Sequence, residues 1–241
     1  MKEEYLDIYP HLYRTHWWWR AREHAVKKLL LHLLGTRNDY RLLDVGCGEG
    51  LLFPILSEFG TVEGVDPFVS DNVASQLNIH RVPFDQYESP SGKYDVILML
   101  DFLEHLETPE AALNSACRLL KPNGLLFVTV PTFDILWTSH DDINNHQRRY
   151  TTRLLSRQAE DSGFQVVHLS YFFHWVFFAK LLVRLKEFLF RRQCNNQLPS
   201  IPHQVINSIL TSLSKTEFDV TQAIHLSVPF GGSAIMVARR S

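Results

Sequence analysis

Residues 42–50 read Leu-Leu-Asp-Val-Gly-Cys-Gly-Glu-Gly, an apolar run that ends in an acid, Asp44, and passes into glycines at alternate positions, Gly46, Gly48 and Gly50. Glycine adopts backbone angles closed to other residues and has no Cβ to obstruct a ligand. The pattern is that of a buried strand leading into a loop that approaches a nucleotide-like molecule closely. A dinucleotide fingerprint needs its third glycine one residue later, where Leu51 stands, so that helix and strand can pack together. An acid two residues before the first glycine also repels a pyrophosphate and attracts a cation. The expected ligand therefore carries positive charge near this loop.

Two other groups of residues could do chemistry. Asp101, Glu104 and His105 stand at i, i+3 and i+4, so on a helical turn they would converge on one point. Residues 137–151 (WTSHDDINNHQRRYT) are dense in titratable groups. His140 and His146 are the candidates there for a general base, because histidine titrates in the useful range. Arg148 and Arg149 are candidates to bind a carboxylate or phosphate on a substrate, with Tyr150 beside them. The bland alternative is a solvated loop that its arginines and tyrosine clamp to the core.

The elements that must position these groups follow an α/β order. Residues 61–65 read as a second strand that ends at Asp66-Pro67. Asp66 falls at about the distance past the glycine loop where a doubly wound fold places a ribose-binding acid; the alternative is a strand-end helix cap. A short polar strand is expected at 79–82, followed by Asp85. Residues 96–100 form a continuous apolar run suited to a central strand covered on both faces. Thr108-Pro109 reads as a helix start, the helix runs over 110–120, Lys121-Pro122-Asn123-Gly124 breaks it, and 125–130 is the next buried strand.

Taken together, D-x-G-x-G-x-G, the strand-end acid and the strand–helix–"LKPNG"–strand series resemble the class I S-adenosylmethionine (SAM)-dependent methyltransferases over roughly residues 40–170. The resemblance implies a Rossmann-like, doubly wound seven-stranded sheet with an antiparallel last strand. It implies SAM as cofactor and S-adenosylhomocysteine as product, with the glycine loop turned around the methionine part. By the same resemblance Asp44, Gly46, Cys47, Gly48, Gly50, Asp66, Pro67, Asp85 and Leu100 are cofactor contacts, with Asp66 on the ribose and Asp85 near the adenine amine. Cys47 is expected as a small packed side chain, not a catalytic thiol. Ubiquinone-pathway O-methyltransferases carry a similar acid-x-x-Glu-His arrangement linked to a divalent metal. Metal-free relatives also carry Glu-His there, and no metal is the expectation adopted; Asp101 and His105 are then catalytic candidates alongside His140 and His146.

The N-terminal segment His16-Trp17-Trp18-Trp19-Arg20-Ala21-Arg22 precedes a helical stretch and resembles His-Trp-Trp…Arg segments of several bacterial methyltransferases. As a lid, Arg22 would pair with the SAM carboxylate and Trp18 would face the acceptor; as plain packing, the tryptophans would dock the segment on the sheet. The 137–151 stretch similarly resembles loops of uncharacterised bacterial methyltransferases. Residues 164–169 read as strand six and 232–239 as the last strand, with an unusually long connection between them. Within it, 171–192 is rich in Phe, Trp, Leu and Val, with Lys180, Arg184, Glu187 and Arg191 on one stripe. This aromatic helix is expected to be buried, to line a hydrophobic substrate pocket or to lie on a membrane; its charges and length argue against a span. Residues 195–202 read as a polar loop and 205–213 as a short helix.

The chain of 241 residues fits one domain: an N-terminal helical cap (1–36), a SAM-binding core (37–170), a helical insertion (171–231) and the last strand (232–241). A net charge of -2 gives no global electrostatic case for nucleic acid. Cys47, Cys117 and Cys194 have neither zinc nor disulfide spacing and suit a reducing compartment. With no signal-peptide pattern at the start, the expectation is a cytoplasmic monomer or homodimer, with peripheral membrane contact in view. The function expected is methyl transfer from SAM to an oxygen or nitrogen of a small or lipid-like acceptor by in-line displacement. The alternative is a non-catalytic SAM-binding scaffold with the aromatic insertion as its partner surface.

Overall fold

A computed structural model describes residues 10–89, 92–190 and 200–241. Seven strands form one sheet in the order β3-β2-β1-β4-β5-β7-β6. They are β1 (Tyr40–Val45), β2 (Gly60–Val65), β3 (Ile79–His80), β4 (Tyr94–Leu100), β5 (Leu120–Pro131), β6 (Phe164–Phe172) and β7 (Ser233–Arg240). β1 to β5 pair parallel, whereas β7 runs antiparallel to both β5 and β6. This is the Rossmann-like α/β sheet with a reversed last strand that the motif order implies. Val96–Met99 and Leu125–Val130 are almost fully buried, because both faces of the central strands carry helices.

Eight labelled helices flank the sheet: α1 (Trp17–Leu34), α2 (Phe53–Leu56), α3 (Asp71–Leu77), α4 (Pro109–Leu119), α5 (Ser139–Ile143), α6 (Thr152–Asp161), α7 (His174–Phe190) and α8 (Gln204–Ala223). One face of the sheet buries Leu43, Ile97 and Val128 under α4 and α6. The other buries Leu42, Leu98 and Phe127 under Ala25, Val26, Leu29 and Leu30 of α1. Thr151 caps α6 by accepting from the Leu154 N–H at 3.2 Å. Thr108 occupies the cap position of α4 without a side-chain cap bond, so Pro109 alone carries the expected start signal.

The connection before the last strand differs from its expected form. The short helix foreseen at 205–213 is twice as long, and it packs on α1. The Asn207 Oδ1 accepts from the Trp17 N–H at 2.9 Å, and Lys28 and His24 reach Asp219 at 2.6 and 2.8 Å. Its buried face is Asn207, Thr211, Ser214, Phe218 and Thr221, polar enough to hide the helix from an apolar-period reading. α7 turns its first half inward, with Phe173 before it and Val176 buried, while Phe178, Leu182, Val183 and Leu185 are exposed. The expected charged stripe also splits, since Arg184 is exposed whereas Lys180 enters the cleft. The Glu187 side chain and Arg191 lie outside the described residues. No helix among the described residues is long and apolar enough to cross a membrane.

Candidate active site

The carboxyl ends of β1, β2, β4 and β5 open on one cavity of about 970 Å³. That is large enough for a nucleoside cofactor and a second small molecule. At its cofactor end, Gly46, Gly48 and Gly50 all have positive φ, at 71°, 52° and 66°. At Gly46 the need for glycine is also steric, since a Cβ would lie 2.7 Å from the Phe102 ring. Asp66 accepts the Gly48 N–H on one oxygen and the Phe68 N–H on the other, both at 2.8 Å. The strand-end acid thus ties the glycine loop to the tip of β2 while it lines the cavity. Pro67, Asp85 and Leu100 line the same space, as do Gly46 and Cys47. Gly48 and Gly50 shape the loop from behind.

Asp44 is buried at 4 % exposure. Burial pushes its pKa up to about 7; Arg22 pulls it down and Asp66 adds to the rise. A buried carboxyl of this kind is relieved by a cationic ligand. Burial, then Asp44 and Asp66, also push the Cys47 thiol far up, which leaves it without nucleophilic character at neutral pH.

The wall facing this loop comes from α1. Arg22 forms an ion pair with Asp101 and lies 5.1 Å from the Trp18 ring centroid. Asp101 has φ 52°, uncommon outside glycine. Its backbone N–H donates to the Thr129 carbonyl at 2.9 Å, and its Oδ1 accepts from the Thr129 hydroxyl at 3.1 Å. Trp17, Trp18 and Trp19 all border the cavity, with Trp17 against Trp175 at 5.0 Å. The side chains that dock the segment thus also border the cavity.

At the other end, α5 and the following loop bring His140, Asn144 and His146 to the cavity. The loop is anchored by the Gln147 N–H, which donates to the Glu104 carbonyl at 2.7 Å. Asp141 is fully buried and accepts from His146 Nδ1, Arg149 Nε and Arg149 Nη2, each at 2.9 Å. Burial raises its pKa, but the hydrogen bonds from His146 and Arg149 outweigh this and hold it far below the carboxylate range. An ionised acceptor at Nδ1 holds a proton on that nitrogen, so Nε2 is the ring atom left to exchange a proton. Desolvation, aided by Lys180, lowers His140 to about 4. Desolvation, aided by His146, lowers His105 to about 4.

Several expected roles change. Arg149 is no free anion site: its guanidinium is consumed by Asp141 and by the Thr132 carbonyl at 3.0 Å. Arg148 donates to the Glu107 carbonyl at 2.7 Å and does not border the cavity. Tyr150 is fully buried, with its hydroxyl turned to the Leu103 carbonyl at 3.4 Å. These residues clamp the loop to the core. The Asp101-Glu104-His105 convergence is also revised. Arg22 and Thr129 hold Asp101, and the donor atoms that lie within 4.8 Å of one another belong to Glu104, His105 and His146. Glu104 is fully buried and neither carboxyl oxygen has a hydrogen-bond partner among the described residues. Burial, then Asp101, raise its pKa well above the ordinary value, so a cation or a hydrogen-bond donor at this point would relieve it. An orphaned carboxyl beside two imidazoles is a donor set that fits a divalent ion.

Two of these features escaped the sequence. In the sequence Lys180 falls on the charged stripe of its helix, and the only local signal of its inward turn is its isolation between Ala179 and Leu181. Asp141 was passed over, although Thr138-x-x-Asp141 is a capping box that marks the turn where α5 begins.

This fold and cavity define a SAM-dependent methyltransferase. A family profile described as "Methyltransferase domain" matches residues 18–169, and the chain belongs to that family. It is 34% identical over 115 residues to a ubiquinone biosynthesis O-methyltransferase of Bradyrhizobium diazoefficiens, a match spanning 44% of this chain and 45% of that relative. The chain thus spans about half the length of the curated relatives it matches. A SAM-dependent methyltransferase of Archaeoglobus fulgidus superposes with a TM-score of 0.53 at 16% identity, over 90% of this chain and 94% of that one. Magnesium protoporphyrin IX methyltransferase of Synechocystis, with bound SAH, gives 0.55 at 16%, over 92% and 83%. These two likenesses are of fold.

Proposed function

We propose that the chain methylates a hydroxyl oxygen of a small or lipid-like acceptor, with His146 as the base that takes the hydroxyl proton. The observation that carries this reading is the Asp141–His146 pair in the same cavity as the glycine loop. The relatives named for ubiquinone biosynthesis O-methylation support oxygen as the target atom. SAM supplies an electrophilic methyl carbon on a positively charged sulfur and leaves as S-adenosylhomocysteine.

The chain's own tasks are alignment, desolvation and proton removal. In this reading Asp44 faces the cationic groups of the cofactor, Asp66 the ribose hydroxyls and Asp85 the adenine amine. Arg22 and Trp18 cover the methionine end, and α1, α7 and α8 act as one cap over a core at 37–170. Asp141 keeps His146 in the tautomer whose Nε2 accepts a proton. Should an ion be held by Glu104, His105 and His146, it would take the His146 Nε2 and act in place of the base, supplying Lewis-acid polarisation that acidifies the acceptor hydroxyl. The exposed side of α7 supports peripheral contact with a bilayer.

The test is His146→Ala assayed with labelled SAM against fractionated small-molecule extracts. Turnover should fall by 10²–10⁴-fold, as for loss of a general base, while the Kd for S-adenosylhomocysteine stays within about twofold of the parent. Full activity in His146→Ala would remove His146 from this role.

A further inference from the structure

α7 sends one cation into the cleft. Lys180 is half-buried and lines the cavity with Val176, one turn earlier on the same helix. Among the described residues its ammonium makes no hydrogen bond or ion pair. The other cations of the cavity are already satisfied, Arg149 by Asp141 and Arg22 by Asp101. The acids of the cofactor end, Asp44 and Asp66, sit at the tips of β1 and β2 and have the cofactor's positive charges and ribose hydroxyls to face. Lys180 instead sits on the acceptor side, near enough to Arg149, Asp141 and Asp101 for their charges to be felt, and to His140 for its own charge to be felt there. Desolvation, and then Arg149, lower its pKa to about 8. It remains mostly protonated at neutral pH; Asp141 and Asp101 favour the charge from a distance, but each is already paired, and a desolvated ammonium with no direct partner is costly.

Building on the methyl-transfer reading above, we infer that the acceptor carries an oxyanion, a carboxylate or a phosphate, and that Lys180 is the residue that recognises it. The apolar and aromatic lining beside it, Val176 and Trp17, takes the acceptor's hydrophobic body, and the ammonium takes its charged head. Lysine suits such a role as a compact charge on a flexible stem. Lys180 then selects among acceptors and is not part of the transfer itself, since His146 holds the proton-accepting position.

The experiment uses the full chain loaded with S-adenosylhomocysteine and two matched probe series. One is octanol, octanoate and octyl phosphate; the other is benzyl alcohol, benzoate and phenyl phosphate. Calorimetric titration should find an anion bound at least tenfold more tightly than the alcohol of its series. Which anion wins separates carboxylate from phosphate. Lys180→Met should erase the preference and Lys180→Arg should keep it, with S-adenosylhomocysteine affinity within about twofold in both. Equal binding of anions and alcohols, absence of saturable binding by any anion, or a preference that survives Lys180→Met overturns the inference. So does a tenfold loss of S-adenosylhomocysteine affinity in Lys180→Met, which would assign the lysine to the cofactor. Failure of the proposed function would instead appear as no methyl transfer by the parent chain with any extract, whatever the probes do.

Discussion

Replacing Asp44 by Asn isolates the electrostatic strain in the cofactor loop. Burial moves the Asp44 pKa from 3.8 to about 7, and a raised carboxyl pKa disfavours the folded chain once the unfolded chain has lost its proton. The sign is therefore fixed. Below about pH 4 both states hold the proton and nothing is lost. Between about 4 and 7 the penalty grows, and above 7 it is constant. From about pH 5 to pH 8 it grows by roughly 2–3 kcal/mol, at ~1.4 kcal/mol per tenfold. For a chain of this size that is about 4–12 °C in Tm. The ligand-free Asn variant should thus gain on the parent chain by this amount as pH rises across that range. Comparing the two across pH cancels the cost of burying the new amide. SAM affinity should move the opposite way. In the parent it should tighten from about pH 5 to pH 7 as Asp44 ionises, and in Asp44→Asn it should be weak and nearly flat. Melting curves of both proteins at the two pH values, with SAM titrations alongside, measure each quantity. A Tm difference independent of pH, or parent-like SAM affinity in the variant, would refute the argument that Asp44 is a buried acid kept for a cation.

Other perturbations separate structure from chemistry. Arg149→Met removes the main partner of a buried carboxylate, and leaving such a charge underpaired costs about 3–5 kcal/mol; a Tm drop of less than about 5 °C would mean that His146 alone satisfies Asp141. Chelation followed by readdition of Mg²⁺, Mn²⁺ or Zn²⁺ tests the Glu104–His105–His146 cluster. If it holds an ion, one of these should raise Tm in the parent chain and not in Glu104→Gln, and no metal-specific shift in the parent would leave Glu104 a protonated acid awaiting a hydrogen-bond donor. Co-sedimentation with anionic liposomes should retain the chain and lose it on Leu182→Glu with Val183→Glu; equal recovery of both would remove α7 from any bilayer role.

The parts of the site that could be read in advance are those whose signal is local. Asp44, the glycines and Asp66 lie on strand tips and a single loop, so strand order alone carries them to one edge of the sheet. What was not legible depends on contacts between distant segments. His146 meets Glu104 because the Gln147 N–H binds the Glu104 carbonyl, and no spacing encodes that bond. Arg149 and Tyr150 looked like ligand contacts because their chemistry is that of ligand contacts; only burial turns them into clamps. α8 was cut short because Asn207, Ser214 and Thr221 face inward while Val205, Ile206 and Ile209 face outward. Thr211 and Thr221 return their hydroxyl protons to their own helix, on the Asn207 and Phe218 carbonyls at 2.7 and 3.0 Å, while Asn207 and Ser214 find partners on Trp17 and Trp175.

The pairing of α1 with α8 has a consequence for how the chain is made. Trp17 and Asn207 are 190 positions apart, so α1, one wall of the cleft, has its support synthesised after every parallel strand. Contacts of such long sequence separation close late and slowly. A nascent chain can set its glycine loop and central strands in place while the apolar face of α1 still has only the sheet to cover it. Only when α8 emerges does the tryptophan wall acquire a fixed position. Newly made protein should therefore gain its secondary structure before its capacity to retain SAM, and added SAM should favour the final step by mass action.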